Sequence, residues 1–68
     1  MTDEEERRRR LRHDLRTPLT IVSGFAEVLA GDRVISDADR REYASRIHAA
    51  AMEIGEIVDA LLTDGSDP

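Results

Sequence analysis

The chain has 68 residues, no cysteine, a formal net charge of −5 and only Phe25 and Tyr43 as aromatic residues, so it forms one small domain at most, without a disulfide framework or thiolate metal site. Such a chain rarely buries enough apolar surface to be stable alone, and self-association is the simplest remedy. No apolar run approaches the ~20 residues of a transmembrane helix, and the acidic N-terminus does not resemble a signal peptide; a soluble, cytoplasmic molecule is expected.

The net charge hides a split. Residues 1–6 carry −4, residues 7–16 carry +5 and the remainder carries −6. The positive girdle is Arg7 to Arg10, Arg12 and Arg16, offset by Asp14 alone. Nucleic-acid binding is disfavoured, because the rest of the surface would repel phosphate.

Residues 3–10 pair acid with base at i, i+4, as Glu4–Arg8, Glu5–Arg9 and Glu6–Arg10, each worth ~0.2–0.5 kcal/mol. Residues 1–10 therefore read as a solvated helical lead-in. Its heptad apolar positions are empty, so it is expected to fray, unless it continues upwards as a signalling coiled coil of a longer parent.

The first helix is expected from about Glu4 to Ala30. Leu11, Leu15, Pro18, Val22, Phe25 and Leu29 step by 4, 3, 4, 3 and 4, a seam of two apolar positions per heptad. With Leu15 at position a, His13 falls at f, the most exposed position. His13, Thr17, Thr20 and Gly24 then share one outward stripe. Gly24 costs up to ~1 kcal/mol relative to Ala in mid-helix. It is either neutral on an exposed face or lets a partner approach closely. Gly31 is a good C′ residue, able to adopt the left-handed conformation that ends a helix.

Residues 31–36 form a short turn, so the helices must pack as antiparallel neighbours. Val34 and Ile35 are apolar for a loop and are expected to cover the end of the bundle. Ser36 is the expected N-cap, with Asp37 and Asp39 in the first turn.

The second helix is expected from about Asp37 to Leu62 or Thr63, with residues 64–68 as a disordered tail. Tyr43, Ile47, Ala50, Ile54, Ile57 and Leu61 repeat the 4, 3, 4, 3, 4 spacing. Both helices carry further apolar residues beside the seam: Leu19, Ile21, Ala26 and Val28 on the first, and Ala44, Ala51, Met52, Val58 and Leu62 on the second. Two helices need one narrow seam each; wider stripes are the pattern of a larger bundle core. The predicted fold is all-α: a two-helix hairpin over residues 8–63 that dimerises into a four-helix bundle. Ala49 to Ala51 and Gly55 would allow close helix approach. His48, beside the seam, reads as a surface or rim residue, and no metal ligand set is evident.

The stretch that carries chemistry is Arg12-His13-Asp14-Leu15-Arg16-Thr17-Pro18-Leu19. Histidine is the side chain whose ordinary charge change lies nearest neutrality, and an exposed one is a ready nucleophile. Asp14 can reach the ring sideways; bonded to Nδ1–H, it would fix the tautomer and leave Nε2 free to attack. Pro18 lacks an N–H, so the Asp14 carbonyl loses its helical partner and a kink is expected just below the histidine.

This stretch resembles the H-box of the dimerisation and histidine-phosphotransfer (DHp, HisKA-type) domain of bacterial sensor histidine kinases. The likeness runs from about Arg8 to Leu62, with Asp14 where many members have Glu. It implies that His13 accepts the γ-phosphoryl of ATP and passes it to a response-regulator aspartate. It implies further that Asp14 is general base and ring orienter, and that Thr17 positions a water for phosphatase activity. Arg16 and Arg12 flank the acceptor, with Arg9 and Arg10 one turn above. They could steer ATP or an acidic receiver pocket and stabilise phosphoryl charge.

Phosphoryl transfer from ATP also needs a phosphate cradle and a metal site. Neither is evident here, so ATP and Mg²⁺ are expected to come with a separate ATP-binding domain, and the chain is not expected to act alone. The expected partners are a second copy of the chain, that ATP-binding domain and a receiver domain; neither nucleic acid nor membrane insertion is expected. The competing readings are a non-catalytic helical-hairpin dimer and a free-standing monomeric phosphotransfer protein.

Overall fold

The computed structural model describes the backbone of residues 2–65 and the side chains of residues 2–63. Two helices account for nearly all of it: α1, Asp3–Ala30, and α2, Asp37–Gly65. They pack against each other as a two-helix hairpin. The fold is all-α, as the two apolar seams predict.

Helix α1 starts where its sequence supplies a cap. Thr2 is extended, and its Oγ1 accepts the Glu5 N–H at 3.1 Å while Glu5 Oε1 accepts the Thr2 N–H at 3.1 Å. This capping box satisfies orphan donors at both ends of the first turn. Its Thr-x-x-Glu signature stands in the sequence at Thr2 to Glu5, inside the lead-in expected to fray. Of the three expected i, i+4 pairs, Arg8 donates to Glu4 Oε2 at 3.4 Å, while among the described residues no ion pair joins Glu5 to Arg9 or Glu6 to Arg10.

Helix α1 ends differently from the expectation. Gly31 is not left-handed: it has φ −79° and ψ −175°, and its N–H donates to the Val28 carbonyl at 3.3 Å. The chain leaves the helix in an extended direction, which any residue can adopt. At the other end of the turn, Ser36 caps α2 as predicted, its Oγ accepting the Asp39 N–H at 3.0 Å. The turn itself is only half covered. Ile35 is half-buried, but Val34 is 96% exposed and covers nothing within the single chain.

The seam is real but thin. Leu11, Leu15, Val22, Phe25 and Leu29 on α1 and Tyr43, Ile47, Ile54 and Ile57 on α2 are half-buried. Only Pro18 and Ala50 are buried among the described residues. The register is antiparallel: Phe25 stacks on Tyr43 with ring centroids 5.1 Å apart, while Leu11 shares a cleft with Ile57 and Leu61. The molecule measures 48 × 26 × 12 Å, and the last figure is about the thickness of one helix layer with its side chains. A single layer has no opposite face to close a core, which is why so little is fully buried.

Ala50 fulfils the expectation of a small residue at the helix contact, but Ala49 and Ala51 are exposed. A Cβ added at Gly55 would meet nothing within 4 Å, so Gly55 lies away from the contact between the two helices. Helix α2 runs to Gly65, past the Leu62–Thr63 end expected; of the expected tail, residues 66–68 lie outside the described residues.

Candidate functional site

The site is built by periodicity. Leu11 and Leu15 turn toward α2 and are half-buried, so the residue midway between them must face outward. That residue is His13, whose side chain is 84% exposed. Its Nδ1 lies 3.6 Å from Asp14 Oδ1. This is within ion-pair range but longer than a hydrogen bond. The carboxylate therefore neighbours Nδ1, and Nε2 is the nitrogen turned away from it.

Asp14, 53% exposed at its side chain, does not belong to the open face alone. It lines a notch between the helices with Arg7, Arg10 and Leu11 of α1 and Ile57, Ala60 and Leu61 of α2. Its place in the sequence couples Asp14 only to the ring. That α2 supplies a wall beside it follows from the antiparallel register, which no local pattern reveals.

Arg16 and Thr17 are exposed one turn below His13, on its outward side. Pro18, next in sequence, turns inward and is fully buried. The expected kink is not marked by a break in secondary structure: α1 is continuous through Pro18. The ring still leaves the Asp14 carbonyl without an i+4 donor. The site is thus one helical turn with a buried proline on its inner side and a histidine on its outer side.

On the opposite flank of α1, Arg12, Leu15, Arg16, Leu19, Thr20, Ser23, Gly24 and Glu27 line an open groove. A Cβ on Gly24 would meet nothing within 4 Å, so this surface is unobstructed in the single chain. His48 is exposed on α2. Among the described residues, no group of three or more His, Cys, Asp or Glu side chains could hold a metal ion.

The family model of the His Kinase A (phospho-acceptor) domain matches residues 9–66. The chain belongs to the HisKA family. This HisKA domain is also 38% identical, over 52 residues, to an uncharacterised sensor-like histidine kinase of Rhizobium meliloti (strain 1021). The match covers 74% of the chain and 10% of the relative, so the chain spans about a tenth of the length of that curated protein. No solved structure matches the HisKA chain. No helix among its described residues is long and apolar enough to cross a membrane.

Proposed function

We propose that this HisKA domain takes a phosphoryl group on His13 and hands it to a receiver aspartate. The observation that carries the reading is the exposed His13 imidazole with a carboxylate beside Nδ1 and an open Nε2. In the forward step Nε2 attacks the γ-phosphorus of ATP, the bond to the ADP oxygen breaks, and the Nδ1 proton moves to Asp14. In the return step a receiver carboxylate attacks the same phosphorus, the P–N bond breaks, and Nδ1 regains its proton. In this reading ATP and Mg²⁺ are supplied by partner domains. The cytoplasm, where ATP is available, is the proposed place of work.

Three further roles complete the reading. Arg16 meets phosphoryl charge from one turn below His13. Thr17, beside it on the outer face, positions a water when the domain removes phosphate from the receiver. Pro18 weakens the helix locally, through the unpaired Asp14 carbonyl, so that the turn bearing His13 can bend.

The working unit is a homodimer in which two hairpins form a four-helix bundle. The support is the single-layer shape together with exposed apolar residues beside the seam: Leu19, Val58 and Leu62 are all exposed in the single chain. A second hairpin laid on this face would bury them and supply the missing layer.

The test is incubation with Mg-ATP and a separate histidine-kinase ATP-binding domain, followed by mass spectrometry. Acid-labile phosphate is expected on His13, abolished in His13→Gln and retained in His48→Gln. Phosphate on His48 alone, or none with any active ATP-binding domain, would remove the proposal.

A further inference from the structure

Most of the arginines around His13 stand outside any ion pair among the described residues. Among the described residues of the 7–16 segment, Arg8 is the one held in an arginine–carboxylate ion pair. The partner expected for Arg9 was Glu5, but the Glu5 carboxylate accepts the Thr2 N–H and closes the capping box. Arg12 and Arg16 have no acid three or four residues away in either direction. Glu5, Arg8, Arg9 and Arg12 line a shallow cleft directly above the site, and Arg12 and Arg16 line the groove directly below it.

The helix places these charges on one side of His13. At 3.6 residues per turn, Arg9 and Arg16 lie about 40° and 60° to one side of the histidine, and Asp14 lies about 100° to the other. Residues separated by three or four positions have Cβ atoms only about 5–6 Å apart, well within the span of an arginine side chain. Asp14 stands by Nδ1, so Nε2 is turned from the acid, and the guanidinium groups flank the side away from it.

We propose that Arg9 and Arg16 form a clamp for the phosphoryl group once it is on Nε2, Arg9 from one turn above and Arg16 from one turn below. The inference rests on His13 as acceptor and selects, from the arginines around it, Arg9, outside the H-box, as the partner of Arg16. Phosphorylation brings roughly two negative charges and three acceptor oxygens to a site where free guanidinium donors already stand. Each arginine contributes a charge-assisted hydrogen bond to a phosphoryl oxygen. The clamp ties the turn above His13 to the turn below it, and phosphorylation therefore stiffens the exposed N-terminal half of α1.

The clamp can be tested without any kinase domain. Potassium phosphoramidate transfers its phosphoryl group to an imidazole Nε2 with loss of ammonia, and a His48→Gln background restricts the reaction to His13. The readouts are the arginine Nε–Hε signals by NMR and the thermal melting of the helix. On phosphorylation, the Arg9 and Arg16 signals should shift while that of Arg8 stays. Their exchange with water should slow by roughly 1.5- to 5-fold, the range expected for a solvent-exposed charge pair. The rise in melting temperature on phosphorylation should shrink in Arg9→Gln and return in part in Arg9→Lys, while the unphosphorylated forms melt alike. Phosphorylated His13 with an unmoved Arg9 signal, or an equal rise in Arg9→Gln, overturns the clamp and leaves the acceptor role standing. Failure of His13 to be phosphorylated under conditions that modify free imidazole overturns both.

Discussion

The ring of Phe25 on α1 stacks on the ring of Tyr43 on α2, with centroids 5.1 Å apart and planes 30° from parallel. It joins the only two aromatic residues of the chain and lies near the turn, at the far end of the hairpin from the seam residue Leu11. With Pro18 and Ala50 alone buried among the described residues, this pair is a large part of what holds the helices in register. Phe25→Ala and Tyr43→Ala should each destabilise the hairpin by about 2–3 kcal/mol, below the full core value because both rings are half-buried. In a double-mutant cycle the coupling should be about 0.5–1.5 kcal/mol. Chemical denaturation measures both quantities; a coupling near zero would mean that the stack is incidental.

Asp14 should matter through its proton rather than its bulk. Asp14→Asn keeps the size and removes the base, and the initial rate of His13 phosphorylation should fall by roughly 10²-fold, the lower range for general base catalysis. Asp14→Glu should retain most of the rate, since the longer arm still reaches the ring. Single-turnover phosphorylation with a fixed ATP-binding domain separates the two. Equal rates for wild type and Asp14→Asn would remove the carboxylate from the mechanism.

Gly24 offers a test that divides stability from recognition. Nothing lies within 4 Å of the Cβ that alanine would add. Gly24→Ala should therefore stabilise α1, by up to ~1 kcal/mol from helix propensity. If the groove beside it receives a partner closely, the same variant will bind a receiver domain more weakly while melting at a higher temperature. Unchanged receiver transfer would assign Gly24 to the neutral reading.

Self-association should depend on the open apolar face. Leu19 is 51% exposed in the single chain, so Leu19→Glu removes little intrachain packing. In a four-helix bundle it would place charge in the shared core, at a cost of several kcal/mol for an unpaired carboxylate. Sedimentation should give twice the chain mass for the wild type and the single mass for the variant. A melting temperature of the wild type that does not change with protein concentration would contradict the dimer.

The two helices, the half-buried seam, the Ser36 cap and the outward placement of His13 follow from local rules, and each can be read from residue spacing. Seven-residue spacing fixes which side of a helix is apolar before any partner is known. Leu11 and Leu15 so determine where His13 points. The family likeness was legible for the same reason: the H-box is a continuous stretch, and its chemistry depends on neighbours within one turn. Local rules erred where competing local partners existed. Gly31 was available for a left-handed cap but left the helix extended, and Glu5 closes the capping box rather than pairing with Arg9 as its spacing suggests.

Only the tertiary structure decided what depends on register between the helices. The pairing of Phe25 with Tyr43, the notch that sets Asp14 beside Ile57 and Leu61, the exposure of Val34 and the position of Gly55 away from the contact are all of this kind. Each needs the sliding and rotation of one helix against the other. Those are set by the summed packing of many half-buried side chains and have no signature in any single stretch of the chain.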